Sequence, residues 1–157
     1  MRTEPVLKLP IPVGILSVIE RSKQLATWTA VNQHIKPEHW VHEYIIHPGS
    51  IVLYVVKQII MQGYEANKDH IFIFTGFQSK ELIISSDLGL RDVDQYSTIN
   101  ITINGADEVD LELNCIKGGG ACHLREKVLA KAMLMFILVT DYCKNVDHLC
   151  MNISVSW

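Results

Sequence analysis

Between Asn104 and Lys127 the chain gathers the residue types that proton transfer on a small anionic or polyhydroxy compound requires. Asn104-Gly-Ala-Asp-Glu-Val-Asp110 supplies the carboxylates of Asp107, Glu108 and Asp110. Lys117 is followed by the glycine triplet Gly118, Gly119 and Gly120, and Arg125-Glu-Lys127 adds a further acid, Glu126. Glycines ahead of a helix can turn several backbone N–H groups toward one point, an anion or oxyanion nest; more commonly they mark a plain turn. Lys117 would add a full positive charge to such a nest, although most lysines are solvated surface groups. A carboxylate beside a cation and a nest is what proton abstraction next to a carbonyl needs: a base, and donors for the enediolate charge. Glu126 is that carboxylate if it faces the strand ends. Otherwise it complements the helix dipole or pairs with a basic neighbour. The acids at 107, 108 and 110 have an equally simple alternative as a solvated acidic turn.

The elements that must position these residues alternate in type. Apolar positions at Leu25, Ala26, Val31 and Ile35 predict an amphipathic helix over Val18 to Ile35, stopped by Pro37. Val41 to Ile46 reads as a strand, Pro48-Gly49-Ser50 as the loop after it, and Ile51 to Met61 as a helix. Gly63 to Asp69 reads as a polar connection. Ile71 to Thr75 is an apolar run suited to a buried parallel strand, and Gln78 to Ser86 suits a helix ended by Asp87-Leu88-Gly89. Ile99 to Ile103 is a strand stopped by Asn104-Gly105, Cys122 to Lys131 a helix, and Met135 to Thr140 a strand. Such alternation predicts an α/β fold, a parallel sheet covered by helices with right-handed crossovers. Ligands of such sheets bind at the carboxyl ends of the strands, where every motif above falls. Asp147 to Trp157 does not read as a further unit, and the proline-bearing N-terminus (Pro5, Pro10, Pro12) is expected to be poorly ordered.

Composition narrows the function classes. The chain has 157 residues, 48% hydrophobic and 20% charged, which suits one globular domain. A net charge of −3 without a basic run argues against nucleic acid as a partner. No apolar stretch reaches the roughly 18 residues of a membrane span, and Ile11 to Ile19 lacks the flanks of a signal peptide, so a cytoplasmic location is expected. Cys115 and Cys122, like Cys143 and Cys150, are seven apart. That fits no common zinc spacing and is expected of reduced thiols. The scattered histidines, including the pair His39 and His42, suggest no metal.

Taken together, these motifs closely resemble type A ribose-5-phosphate isomerase. The resemblance rests on Asn104-Gly-Ala-Asp-Glu-Val-Asp110, Leu113-Asn114, Ile116-Lys-Gly-Gly-Gly120 and Arg125-Glu-Lys127. It extends through Thr75-Gly-Phe-Gln-Ser79, Ser22-Lys-Gln-Leu-Ala26 and Val139-Thr-Asp-Tyr-Cys-Lys144, and runs from about Val18 to Leu149. It implies a Rossmann-like parallel sheet with helices on both faces, lacking the family's C-terminal α+β portion. The corresponding division is a poorly ordered segment 1–17, an isomerase-like domain 18–149 and a divergent tail 150–157. The implied activity interconverts ribose 5-phosphate and ribulose 5-phosphate, in the non-oxidative branch of the pentose phosphate pathway, without metal or cofactor. The implied partner is that sugar phosphate, with a homo-oligomer or pairing with a full-length isomerase left open.

By the same resemblance, Glu126 matches the catalytic base, and Lys117 with the backbone of Gly118, Gly119 and Gly120 matches the groups that hold the enediolate. Asp107 matches a carboxylate on the sugar hydroxyls. Lys23 and Lys144 match basic positions near the phosphate or sugar, and Gly49, Ser50 and Asn104 fall among the substrate-binding positions. Asn104 replaces an aspartate of the family. The phosphate loop Gly-Ser/Thr-Gly-Ser-Thr reads His47-Pro48-Gly49-Ser50-Ile51, with one backbone donor lost at Pro48. Ala121 stands at the fourth glycine of the run. Two readings follow: an active isomerase, or an inactive truncated relative that binds sugar phosphate or pairs with an active subunit. Asn104-Gly105 is also a sequence prone to deamidation, which would regenerate an aspartate there.

Overall fold

A computed structural model describes residues 17–36, 43–46, 49–74, 80–81, 83–84, 86, 88–91, 99–118 and 123–152. The expectations for the N-terminal segment, for His39 and His42, and for Thr75 to Ser79 lie outside these residues. Helix α1 spans Val18–His34. It begins with the Ser-x-x-Glu pattern of a capped N-terminus, the Ser17 hydroxyl accepting the Glu20 N–H at 3.2 Å. Helix α2, Val52–Gln62, ends at Gly63, whose φ of 89° favours glycine. Where a polar connection is expected, the chain instead makes a one-turn helix, α3, Tyr64–Asn67. Asn67 accounts for it: its side-chain amide donates to Ile59 O at 2.7 Å and Gly63 O at 2.8 Å, satisfying carbonyls that the end of α2 leaves open.

Five strands form one wholly parallel sheet: β1 Glu43–Ile46, β2 Ile71–Phe74, β3 Leu90–Arg91, β4 Ile99–Asn104 and β7 Met133–Leu138. Their spatial order is β3-β2-β1-β4-β7. In register, Ile45 faces Ile73 on one side and Thr102 on the other, and Thr102 faces Phe136. β7 begins and ends two residues before the expected span. Two further features are not apparent in the sequence pattern. β3 is only a dipeptide, held where Phe72 N donates to Gly89 O at 2.8 Å. A Cβ at Gly89 would stand 2.8 Å from His70 O, so the approach requires glycine. The second feature is an antiparallel hairpin of β5, Glu108–Val109, and β6, Cys115–Ile116. Helix α4, His123–Ala132, leads into β7. Segment 80–84, where a helix is expected, is helical at its described residues.

Two apolar clusters support the sheet. The larger joins Val31 and Ile35 of α1 to Val55, Val56 and Ile59 of α2 and to Phe72, Ile101 and Ile103 of the strands. The smaller joins Leu129 of α4 to Ile73 and Ile99. Phe72 and Ile73 are consecutive in β2 and therefore point to opposite faces. The clusters thus cover both faces of the sheet.

Candidate active site

β1 is the first strand in sequence, and its neighbours β2 and β4 lie on opposite sides of it. That reversal of strand order opens a crevice beyond the carboxyl ends of β1 and β4. β1 ends at Ile46, ahead of His47 and Pro48, which lie outside the described residues, and of Gly49 and Ser50, which open into α2. Gly49 has a φ of 148°, and its carbonyl accepts the Val52 N–H at 3.2 Å. Ile51 is buried, 4% exposed, and its side chain lies 3.9 Å from where a Cβ of Gly105 would stand. The loop after β1 therefore sits beside the end of β4.

The hairpin brings Lys117 back to the same point. Asp107 N donates to Ile116 O at 2.8 Å, which sets the hairpin against the end of β4 and leaves Lys117 just beyond β6. The Lys117 ammonium donates to Asn104 Oδ1 at 2.7 Å and to Gly105 O at 2.7 Å. An ammonium has three N–H donors, so two such bonds also fix the direction of the third. Asn104 is 1% exposed, and its Nδ2 is without a hydrogen-bond partner among the described residues. Such a buried donor costs about 1–3 kcal/mol. A flipped amide would turn Nδ2 toward the ammonium, donor against donor, so the contact itself fixes the orientation.

The three neighbouring acids separate by role. Asp107 is half-buried at the crevice. Glu108 is fully buried, and its carboxylate accepts the Cys150 N–H at 2.6 Å and the Asn152 N–H, drawing the turn at 149–152 onto the hairpin. Asp110 accepts the Asn114 side-chain amide at 3.0 Å and the backbone N–H groups of Glu112 and Asn114. Chiefly the Asn114 amide, assisted by those backbone donors, holds its carboxyl below the usual range. Glu108 and Asp110 organise the backbone, and of the three Asp107 is the one that the resemblance matches to a carboxylate on the sugar hydroxyls.

The two outlying lysines differ. Lys23 lies 2.9 Å from Glu20 Oε1 and 3.8 Å from Asp141 Oδ2, tying α1 to the loop after β7. Tyr54 of α2 donates to Glu20 Oε2 at 2.6 Å. The Tyr54 hydroxyl, then Lys23, pull the Glu20 carboxyl below its ordinary value. Burial, then Glu20, push Tyr54 up to about 12. Asp141 also accepts the Cys143 N–H at 3.0 Å and so caps the short 3-10 helix Tyr142–Lys144. Beyond that turn, Asn145 bridges to Val109, and Val146 N donates to Val109 O at 2.9 Å. Half-buried Lys144 is thereby set beside the hairpin that carries Asp107.

Sequence reasoning missed the Glu20, Tyr54 and Asp141 network. The signal available was Asp141 two residues ahead of Cys143, the spacing of a side-chain cap. Gly118 has a φ of 105°, favouring glycine. Gly119, Gly120, Ala121 and Cys122 lie outside the described residues, as does the side chain of Glu126. Of the cysteines described, Cys115, Cys143 and Cys150 are free thiols, and burial pushes that of Cys115 up. Among the described residues there is no group of three or more His, Cys, Asp or Glu arranged to hold a metal, and no helix is long and apolar enough to cross a membrane.

Residues 71–156 match the family model of ribose 5-phosphate isomerase A (phosphoriboisomerase A). A ribose-5-phosphate isomerase of Cryptococcus neoformans is 55% identical over 152 residues, 94% of this chain and 50% of that protein. Among solved structures, a D-ribose-5-phosphate isomerase in complex with phospho-erythronic acid superposes with a TM-score of 0.75 at 30% identity, over 87% of this chain and 58% of that one. Ribose 5-phosphate isomerase A from Neisseria gonorrhoeae does so with a TM-score of 0.72 at 29% identity, over 86% and 57%. The chain spans about half the length of the curated relatives it matches.

Proposed function

The chain belongs to the ribose 5-phosphate isomerase A family, and on that premise we propose that it interconverts ribose 5-phosphate and ribulose 5-phosphate. In this reading Glu126 moves the proton between C1 and C2. Lys117 and the backbone of Gly118, Gly119 and Gly120 hold the enediolate charge, and Asp107 holds the sugar hydroxyls. Gly49, Ser50, Asn104 and Lys144 bind the rest of the substrate. The observation that carries the reading is the Lys117 ammonium, fixed by Asn104 Oδ1 and Gly105 O at the switch-point crevice. A preorganised cation where oxyanion charge develops is worth far more than a mobile one in water. This chemistry passes through no metal and no cofactor, and the enzyme works on a soluble sugar phosphate in the cytoplasm.

A second reading, a sugar-phosphate-binding relative without turnover, is favoured by two observations. Lys23, assigned to the phosphate or sugar by resemblance, is engaged by Glu20 and Asp141. Ile51 is buried where the family has a hydroxyl. One assay separates the two readings. Ribulose 5-phosphate formation by the purified chain is expected, falling at least about a hundredfold in Glu126→Gln, the scale of a lost general base. Absent turnover with retained ribose 5-phosphate binding would replace the first reading by the second.

A further inference from the structure

Both Lys117 contacts described above are to neutral oxygens, the Asn104 amide and the Gly105 carbonyl, each at 2.7 Å. Asn104 is 1% exposed, so water does little to screen the exchange of its amide for a carboxylate. That exchange would add a full negative charge against the ammonium, whatever else faces Lys117. The amide's other end is equally informative. Nδ2 is buried without a partner among the described residues, and a carboxylate there would set an equally buried oxygen in its place and add a full charge. The residue at 104 is therefore poorly explained by packing alone, and its clearest consequence is electrostatic.

We propose that Asn104 sets the charge preference of the crevice. By meeting Lys117 with an amide, it favours ligands that are anionic at the reacting end over neutral ligands of the same shape. The inference rests on the reading that Lys117 meets the ligand. It assigns to this chain a preference for sugar-acid phosphates and enediolate-like species relative to polyol phosphates.

The test uses a matched pair, phospho-erythronic acid and erythritol phosphate, which differ only in a carboxylate against a hydroxymethyl group. Affinities of the full chain for both are measured by calorimetry, and the quantity read is their ratio. In Asn104→Asp the preference for the acid is expected to fall at least about tenfold, as one added charge within a few ångströms of the carboxylate requires. In Asn104→Ala, which stays neutral, it is expected to hold within about threefold by the same argument. An unchanged ratio in Asn104→Asp overturns the proposal, and so does an equal fall in both variants, which would make shape the cause. Should Asn104→Asp fail to fold by circular dichroism, Lys117→Gln removes the charge from the other side, and an unchanged ratio there is equally decisive against it. A wild-type chain that binds neither phosphate overturns the site reading itself, whereas binding of both with a ratio indifferent to residue 104 overturns only this inference.

Discussion

The two sides of the sheet are built to different standards. On the α1–α2 side, Val31, Val55, Val56 and Ile59 are wholly buried against Phe72, Ile101 and Ile103, and polar ties from Glu20 to Lys23 and Tyr54 close the rim. On the α4–β7 side the buried cluster among the described residues is Ile73, Ile99 and Leu129, with Ile71 and Met133 packed against it, while Leu134 remains 74% exposed and Met135 and Phe136 are partly open. Yet the crevice draws on both. Ile51 and Gly49 come from the first side, and the end of β4 is held by β7 from the second. Among the described residues, apolar support is thus concentrated on one wall of the site, and the other wall has fewer such contacts.

The difference can be broken most severely in the larger cluster. Ile59→Ala is expected to cost about 3–5 kcal/mol, because dense neighbours cannot collapse into the space. Leu129→Ala should cost about 2 kcal/mol, since a small cluster near the edge relaxes more easily. Urea unfolding of both variants measures this, and equal costs would remove the contrast. A gentler probe is alkaline pH. The folded value of Tyr54, about 12, lies above its free value of 10.0. Its contribution is therefore fully present below the free value and is lost as pH rises through the folded one. Wild type should lose stability across that window faster than Tyr54→Phe, and parallel curves would show that the tie to Glu20 is idle. At the acid end Glu20 behaves oppositely, its contribution present above the ordinary carboxylate range and lost as pH falls through its lowered value. The smallest effect belongs to Leu134→Lys, expected to change unfolding free energy by less than about 0.5 kcal/mol. Light scattering on heating should still fall, because a charge interrupts an apolar edge strand. A large loss of stability would mean that Leu134 is packed after all.

Much of this was legible in the sequence wherever one local cause decided the outcome. The period of Val31 and Ile35, the stop at Pro37 and the apolar run Ile71-Phe-Ile-Phe74 each gave their element within a few residues, and alternation then gave the parallel sheet. The hairpin of β5 and β6 was not legible, because two-residue strands have no period and depend on Asp110 gathering the N–H groups of Glu112 and Asn114. For the same reason the acids at 107, 108 and 110 looked alike as letters, although burial makes Glu108 a backbone acceptor. Lys117 and Asn104 were both legible as residues suited to a site, but the contacts of Lys117 with Asn104 and Gly105 were not, since a distance across a hairpin is set by tertiary structure. The tie of Lys23 to Asp141 spans most of the chain and left no local trace.

One consequence of the β4–β7 pairing concerns time. For Asn104 to cyclise, the Gly105 nitrogen must reach the Asn104 side-chain carbonyl and expel ammonia, which an extended, buried strand does not allow. That backbone is pinned just past β7, by Val139 N on Asn104 O at 2.8 Å, and its amide is pinned by Lys117. Ageing at this residue should therefore advance only while the thinly supported wall is open, so that the sequence carries its own clock for that opening. Peptide mass spectra of stored protein should show Leu129→Ala gaining mass at Asn104 faster than wild type. Equal rates in folded and urea-unfolded chains would mean that the strand protects nothing.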